Sequence, residues 1–259
     1  MTDLTTTSTA STVSDSESAR WRVVAAEHGI AALRYTHWLD PEPRRYPGVP
    51  GEWSASAGRV LGRGLRGDEP VAPAGEVSLA PAEEIRVGPL LLRAFARDGA
   101  LALRVFDPES PSRTRLRAIL SFPRAEEWVL PGAFRPAADG ETRVVRSADG
   151  YEREEEAVGV VALEIDGRQE HLTVSRGVRG LSAVIADGTS GVDAYRFRFL
   201  PIDAPAADGS VTVDFNRAHL PPCAFSDQYV CPLPPAGNRL ETRIEAGERL
   251  PDLAETALS

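Results

Sequence analysis

Lysine is absent from this chain of 259 residues, so all 29 of its basic side chains are arginines. The absence excludes Schiff-base chemistry at a lysine and the phosphate-binding loop that depends on one. The sequence also lacks the GxSxG motif of serine hydrolases, the HExxH motif of zinc proteases and the CxxC motif of thiol oxidoreductases. Any chemistry in this chain must therefore use other side chains.

A surplus of positive charge and a long apolar run are missing as well. The net charge is −9, which argues against a nucleic-acid partner because phosphate backbones attract cationic surfaces. No run approaches the roughly 18 apolar residues that a membrane helix needs. Residues 1–19 are rich in Ser and Thr without an apolar segment, which predicts a disordered tail rather than a signal peptide. We therefore expect a cytoplasmic protein with neither a nucleic-acid nor a membrane partner.

Repeated Asp-Gly pairs indicate the fold class, because this pair favours two-residue hairpin turns in which both residues have positive φ. Alternating apolar segments flank two of the pairs: 90–97 and 100–106 around Asp98-Gly99, and 158–165 and 169–174 around Asp166-Gly167. The pattern predicts a mainly β protein, an antiparallel β barrel or sandwich of about eight to twelve strands.

The chain divides by composition into three predicted parts. Residues 1–19 form the disordered tail, and residues 20–88 contain an N-terminal helix, a proline-rich connector and a small β/loop region. The helix is indicated by the capping-box spacing from Ser14 to Glu17 and by apolar residues at helical intervals from Trp21 onward. Residues 89–259 form the main antiparallel β barrel or sandwich. It ends in a C-terminal strap, a rigid segment that contains several prolines and both cysteines.

Neither a cofactor nor a metal is predicted. Residues 62–67 match GxGxxG, but prolines follow where a dinucleotide site needs a helix. His219, Cys223 and Cys231 are residue types that bind zinc, yet their spacing matches no standard zinc site. The two cysteines leave a disulfide and a pair of packed thiols both open, since a reducing cytoplasm disfavours the bridge.

Several segments resemble a known family from about residue 20 onward. They are HWL at His37, PGVPGEW at Pro47, DPESPSR at Asp107, SFP at Ser121, DGTSG at Asp187 and YRFRFL at Tyr195, followed between Asp214 and Glu248 by DFNRA, PPCAF, CPLPP, NRL and IEAGE. In these segments the chain resembles the bacterial family of unknown function DUF1684. The resemblance implies a shared mostly-β fold and no established reaction.

The strongest candidate for a site is the start of DFNRA. On a predicted strand, Asp214 and Asn216 share one face, opposite Val213 and Phe215. If the apolar face is the core, the polar pair faces solvent; in a barrel with a partly polar lumen, it would orient a ligand. The predicted catalytic residues are Asp214, His37 and Tyr195. The predicted ligand-binding residues are Asn216, Arg217, Arg198 and Arg113, with the arginines as countercharges for an anionic ligand.

These residues lead to two functional hypotheses. The first is a small-molecule-binding β barrel, which as an enzyme would be a cofactor-independent hydrolase, lyase or cyclase of bacterial specialised metabolism, using acid–base chemistry. The alternative is a non-catalytic ligand-binding or protein-interaction module. The sequence does not predict an oligomeric state.

Overall fold

The computed structural model describes residues 15–65 and 75–255. The described chain is mostly antiparallel β structure, with an N-terminal helix α1 (Asp15–Ala25) and a short helix α2 (Pro111–Thr114). The predicted fold class is therefore confirmed. Of the predicted tail, residues 1–14 lie outside the described residues, and residues 15–19 already belong to α1. No helix in the described part of the chain is long and apolar enough to cross a membrane.

The first half of the chain forms two small antiparallel sheets. Their strands are β1 (Leu33–Trp38), β2 (Glu52–Ser56), β3 (Arg59–Arg63), β4 (Val77–Leu79), β5 (Glu84–Val87), β6 (Leu90–Arg97) and β7 (Ala100–Phe106). One sheet has the order β1-β7-β6-β5 and the other β2-β3-β4. They share an apolar core in which Trp53, Leu92 and Leu103 are fully buried. The predicted boundary at residue 88 lies in the turn between β5 and β6, and the division into domains stays a prediction.

One glycine of the GxGxxG stretch has a packing role. Gly62 lies in β3 directly opposite Trp53 of β2, and the indole ring covers it. A Cβ atom at this position would lie 2.6 Å from the ring, which is too close for a buried side chain to accommodate. The glycine thus makes room for an aromatic side chain, while residues 66 and 67 of the stretch lie outside the described chain.

The second half of the chain is built around a six-stranded antiparallel sheet of order β15-β14-β13-β12-β9-β16. The strands of this half are β8 (Leu116–Ser121), β9 (Val129–Pro136), β10 (Thr142–Arg146), β11 (Glu152–Glu156), β12 (Gly159–Ile165), β13 (Arg168–Arg176), β14 (Gly180–Ile185), β15 (Arg198–Asp203), β16 (Ser210–Asp214) and β17 (Glu248–Leu253). Since β15 and β16 also lie against each other, the sheet is nearly closed and barrel-like. Apolar side chains such as Val161, Leu172 and Leu200 fill its interior. Two further pairs, β10–β11 and β8–β17, lie outside this sheet.

Both predicted hairpins are confirmed together with their turn chemistry. Strands β6 and β7 meet at Asp98-Gly99, and β12 and β13 meet at Asp166-Gly167. Asp98 has φ 47° and Asp166 has φ 51°, and the glycine after each also has positive φ. Two successive positive φ angles are what a type I′ turn requires, so the local sequence determines these hairpins.

Residues 215–247, here called the C-terminal strap, join β16 to β17 through short 3-10 turns. One strap residue bridges a gap in the hydrogen bonding between two strands of the barrel. Strands β13 and β14 pair only at their adjoining ends, and beyond that point the fully buried Asn238 bridges them. Its Oδ1 accepts from Thr173 N at 2.7 Å, and its Nδ2 donates to the carbonyl oxygens of Thr173 and Val184, both at 2.9 Å. The NRL motif therefore has a structural explanation, because its Asn satisfies buried backbone groups.

Candidate anion-binding site

The polar pair at the end of β16 lies together, but not on a strand as predicted. Strand β16 ends at Asp214, and Asn216 belongs to the 3-10 turn that follows. The Asp214 carboxylate accepts from the backbone N of Asn216 at 3.0 Å and from its Nδ2 at 2.9 Å. The Asn216 amide also makes two hydrogen bonds with the backbone of Ala125. The strand prediction was wrong here because the Asp214 side chain caps the turn.

Arg198 lies in the protein interior, where both it and Asp187 have fully buried side chains. Its Nη2 donates to Asp187 Oδ2 at 2.6 Å and to the Ile244 carbonyl oxygen at 3.0 Å, and its Nη1 donates to the Ala246 carbonyl oxygen. Asp187 Oδ1 in turn accepts from the backbone N and the hydroxyl of Thr189. These contacts tie the DGTSG loop to the IEAGE segment of the strap.

The other two predicted ligand-binding arginines also have protein partners. Arg113 Nε donates to the carbonyl oxygens of Ala25 and Ala26 at 3.2 and 3.0 Å, at the end of α1. A cation at this position satisfies free helix carbonyls and complements the helix dipole. Arg217 forms a two-pronged ion pair with the exposed Asp203. The ligand-binding roles of Asn216, Arg217, Arg198 and Arg113 stay predictions.

His37 and Tyr195, the remaining catalytic candidates, lie in different parts of the fold. His37 is on β1, where its ring lies 5.1 Å from those of Tyr35 and Tyr46 and its Nε2 is 2.9 Å from the Pro47 carbonyl oxygen. Burial lowers the pKa of His37 and raises that of Tyr195 to about 12. His37 and Asp214 lie in separate sheets. The catalytic roles of Asp214, His37 and Tyr195 stay predictions.

A pocket of about 450 Å³ lies elsewhere, between the β10–β11 hairpin, β13 and the Pro232–Pro235 part of the strap. Its lining combines five arginines with one carboxylate. They are Arg143, Arg146, Arg153, Arg176 and Arg239, together with Glu155. A concentration of positive charge in a chain of net charge −9 marks this pocket as a candidate site for an anion.

Strand alternation directs Arg143, Arg153 and Glu155 toward the pocket, whereas Arg146 lies on the opposite face of the hairpin and pairs with Glu152. Arg143 is opposite Glu155 and Val145 is opposite Arg153, so all four share one face of the hairpin. On this face the residues are buried or half-buried, whereas Glu154 on the opposite face is exposed. The run EREEE is therefore a strand, and its Arg153 and Glu155 face inward.

Backbone hydrogen bonds attach the strap to the end of β10 and thereby fix the apolar wall of the pocket. Leu233 N donates to the Arg146 carbonyl oxygen, and Ala148 N donates to the Cys231 carbonyl oxygen, both at 2.8 Å. Pro232 lies between these two contacts and is opposite Ser147. The proline-rich segment is rigid because proline restricts φ.

The charges in the pocket are unequally compensated. Arg143 Nη2 donates to Glu155 Oε1 at 2.6 Å, and Arg153 Nη2 donates to Glu155 Oε2 at 3.1 Å, so two guanidinium groups share one carboxylate. Among the described residues, no carboxylate forms an ion pair with the exposed Arg176 or Arg239. The pocket therefore retains positive charge that the protein does not neutralise.

The sequence signal for these arginines was present but weak. Arg143 and Arg146 flank two consecutive valines, and Arg153 lies within an acidic run, which indicates only a charged hairpin. Arg176 and Arg239 come from distant segments that the tertiary fold brings together. Sequence reasoning therefore assigned the anion-binding role to other arginines.

The fold and the pocket can now be compared with known proteins. A family model described as "Protein of unknown function (DUF1684)" matches residues 114–249, just over half of the chain. The chain therefore belongs to this family, and the matched region contains every residue that lines the pocket. The chain is also similar to the solution NMR structure of the uncharacterized protein from gene locus rrnAC0354 of Haloarcula marismortui. The identity is 30%, the match covers 51% of this chain and 76% of that one, and the TM-score is 0.42. No curated protein matches the chain.

Proposed function

We propose that this member of the DUF1684 family binds a small dianionic ligand, a phosphate ester or a dicarboxylate, in the arginine-lined pocket. The observation that carries the proposal is the position of Arg176 and Arg239, which line the pocket without a carboxylate partner among the described residues. The planar guanidinium group matches carboxylate and phosphate oxygens and can bind them through two parallel hydrogen bonds.

The size and the walls of the pocket support a small organic ligand. A volume of about 450 Å³ lies within the range of roughly 300–1,000 Å³ that is common for small-molecule sites. Val145, Val184 and Leu233 supply apolar surface beside the arginines. A ligand with an anionic group and a compact carbon skeleton would use both kinds of wall.

The lining favours binding over catalysis. Among its described residues there is no histidine, cysteine, tyrosine or aspartate, and the carboxylate of Glu155 is held by two arginines. General acid–base catalysis needs a titratable group that can reach the reacting atom. The pocket therefore supports the ligand-binding hypothesis, whereas the hydrolase, lyase or cyclase hypothesis has no group to use there.

Calorimetric titration at low salt tests the proposal with three probes: glucose 6-phosphate, succinate and uncharged glucose. We expect heat of binding from at least one of the two anions and none from glucose. The double substitution Arg176→Gln and Arg239→Gln should weaken anion binding at least about tenfold, since it removes two charge-assisted contacts. Higher salt should weaken wild-type binding through screening.

The double substitution Arg86→Gln and Arg135→Gln is the matched control, because both arginines are exposed, on β5 and β9, and neither lines the pocket. It removes the same number of charges without changing the site, so its affinity should equal that of the wild type. Equal affinity in the wild type and in the pocket variant would contradict the proposal. An equal loss in the control and in the pocket variant would show that net charge, and not the pocket, governs binding.

A further inference from the structure

The two cysteines of the C-terminal strap pack in one apolar cluster. Cys223 lies in the 3-10 turn Pro222–Ala224 and is half-buried, whereas Cys231 is buried beside Ala186 and Phe197. Both are free thiols, and each is the neighbour that most strongly shifts the pKa of the other. The pair is therefore close enough for chemistry that involves both sulfur atoms.

Two neighbouring groups surround the Cys223 sulfur. The Tyr195 hydroxyl donates to the Cys223 carbonyl oxygen at 3.0 Å and lies 3.7 Å from the sulfur itself. The Arg196 guanidinium carbon is 5.6 Å from the centre of the Tyr195 ring, which brings its positive charge near Cys223. Hydrogen-bond donors and a cation beside a partly exposed sulfur favour the thiolate form.

These contacts shift the pKa values of the two thiols in opposite directions. Hydrogen bonding from Cys231, assisted by Tyr195 and Arg196 against the effect of burial, lowers the pKa of Cys223 to about 6. Hydrogen bonding to Cys223, burial and the charge on Cys223 raise the pKa of Cys231 well above its ordinary range. Of the two thiols, Cys223 is therefore the one that ionises first, and Cys231 is the one that stays protonated.

We infer that Cys223 and Cys231 form a thiol redox site that reduces small-molecule disulfides, with Cys223 as the attacking thiol and Cys231 as the resolving thiol. The inference follows from the packing of both thiols in one cluster and from the partial exposure of Cys223 beside the Tyr195 hydroxyl. It is independent of ligand binding in the arginine-lined pocket.

The reaction has two balanced steps. In the first, the Cys223 thiolate attacks a disulfide RSSR, forming a mixed disulfide and releasing one thiolate RS⁻. In the second, Cys231 attacks the Cys223 sulfur, closes the Cys223–Cys231 disulfide and releases the second RS⁻. The Cys231 proton and one proton from solvent convert the two thiolates to thiols. The dithiol loses two electrons, and RSSR gains them as it becomes two RSH.

The contacts of Cys231 explain why the steps follow this order. While Cys223 is a thiolate, its hydrogen bond and its charge keep Cys231 protonated. The mixed disulfide carries no charge on Cys223, so both effects end once the first step is complete. Burial still raises the pKa of Cys231, and the nearby positive charge of Arg104 opposes it. The resolving thiol therefore ionises more readily after the mixed disulfide has formed than before.

Intact-mass spectrometry of the reduced full chain, treated with hydroxyethyl disulfide at neutral pH, tests the inference. The wild type should lose two hydrogens and release two equivalents of mercaptoethanol for each chain. Cys231→Ser should stop at a mixed disulfide with one adduct, because it lacks the resolving sulfur. Cys223→Ser should react at least about tenfold more slowly than Cys231→Ser, since the remaining thiol is buried and less accessible to the disulfide.

The wild type alone can overturn the inference, so the test does not depend on how well the variants fold. A stable mercaptoethanol adduct on the wild type would contradict the resolving role of Cys231. No reaction of the wild type would contradict the attacking role of Cys223. An equal rate in Cys223→Ser and Cys231→Ser would do the same.

The pH dependence of iodoacetamide alkylation distinguishes a pair in which Cys231 shifts the pKa of Cys223 from a single exposed cysteine. In Cys231→Ser, the serine hydroxyl can still donate to Cys223, so the alkylation rate should have its midpoint near pH 6. In Cys231→Ala the donor is lost, and the midpoint should move upward toward the ordinary thiol value of 9.0. Identical midpoints in the two variants would show that Cys231 does not tune Cys223.

Discussion

Arginine occurs in two contrasting settings in the second half of this molecule. Arg198 is fully buried, and its terminal nitrogens meet the Asp187 carboxylate and backbone carbonyl oxygens of the strap. In the pocket beside β10 and β11, Arg143 and Arg153 share one carboxylate, while Arg176 and Arg239 have no ion-pair partner among the described residues. Arginine thus has a carboxylate partner of its own in the first setting and lacks one in the second.

The contrast separates a structural role from a binding role. A buried charge must have its partner inside the protein, because leaving it unpaired costs several kcal/mol. An exposed cluster of like charges costs less free energy, yet its self-repulsion destabilises the folded state unless another interaction compensates. Arginines without a countercharge that line a concave surface are explained if a bound anion supplies that charge. The predictions below test this division from the largest expected effect to the smallest.

The largest loss of stability should come from removing Arg198 from its buried ion pair with Asp187. Arg198→Met leaves the Asp187 carboxylate buried without its countercharge, and we expect a loss of about 3–5 kcal/mol in the free energy of unfolding. Urea denaturation measures it. Arg217→Met is the control, because its partner Asp203 is exposed and should tolerate the change with little loss. Similar losses in the two variants would contradict a special role for the buried pair.

A smaller loss is expected at the boundary between the two settings. Asn238 is buried and fully hydrogen-bonded, whereas the next residue, Arg239, is exposed in the pocket. Asn238→Ala leaves backbone groups of Thr173 and Val184 unpaired; because both residues line the pocket, where water can pair with some of these groups, we expect a total loss of about 1–3 kcal/mol. Urea denaturation with Gln169→Ala as an exposed control checks this. A loss no larger than that of the control would show that Asn238 does not bridge the strands.

Removing the unmatched arginines should leave stability unchanged. The Arg176→Gln, Arg239→Gln double variant should unfold at the wild-type urea concentration, because neither side chain has an ion-pair partner to lose. At a concentration of about ten times the wild-type Kd, a bound anion should stabilise the wild type by ~1.4 kcal/mol and the variant, which binds at least about tenfold more weakly, by no more than ~0.4 kcal/mol. A clear loss of stability in the variant without ligand would mean that these arginines are structural.

The smallest effect concerns His219, which lies in the strap near Arg20 and Glu248. Burial, and then the positive charge of Arg20, lowers the pKa of His219 below its ordinary value of 6.5. The unfolded chain therefore binds a proton before the folded chain does, so this contribution is complete above pH 6.5 and is lost as the pH falls toward the folded pKa. Between pH 7.5 and pH 5.5, His219→Gln should lose less stability than the wild type. Parallel pH profiles would contradict this assignment.

Local chemistry made part of the fold predictable. Asp98-Gly99 and Asp166-Gly167 each determine a hairpin through their own backbone preferences. In the same way, apolar alternation identified the strands on either side of each turn. These elements depend on residues that are neighbours in sequence, so the sequence was sufficient to predict them.

Long-range pairing explains what the sequence could not show. Arg198 was predicted to bind a ligand, but its burial depends on Asp187 and on carbonyl oxygens 46 and 48 residues away. Asp214 and Asn216 were expected on one strand, and a local capping bond ended the strand instead. The pocket itself draws on a hairpin, a barrel strand and the strap, and no sequence spacing records how those segments meet.

The central claim, that the unmatched arginines bind a dianion, can be tested most directly by locating such an ion. Crystals of the protein soaked in selenate should show an anomalous-scattering peak in the pocket, within hydrogen-bond distance of Arg176 or Arg239. The peak should be absent from crystals of the Arg176→Gln, Arg239→Gln variant, and the buried Arg198 should attract none. An empty pocket in wild-type crystals, with selenate bound at other surface arginines, would contradict the claim.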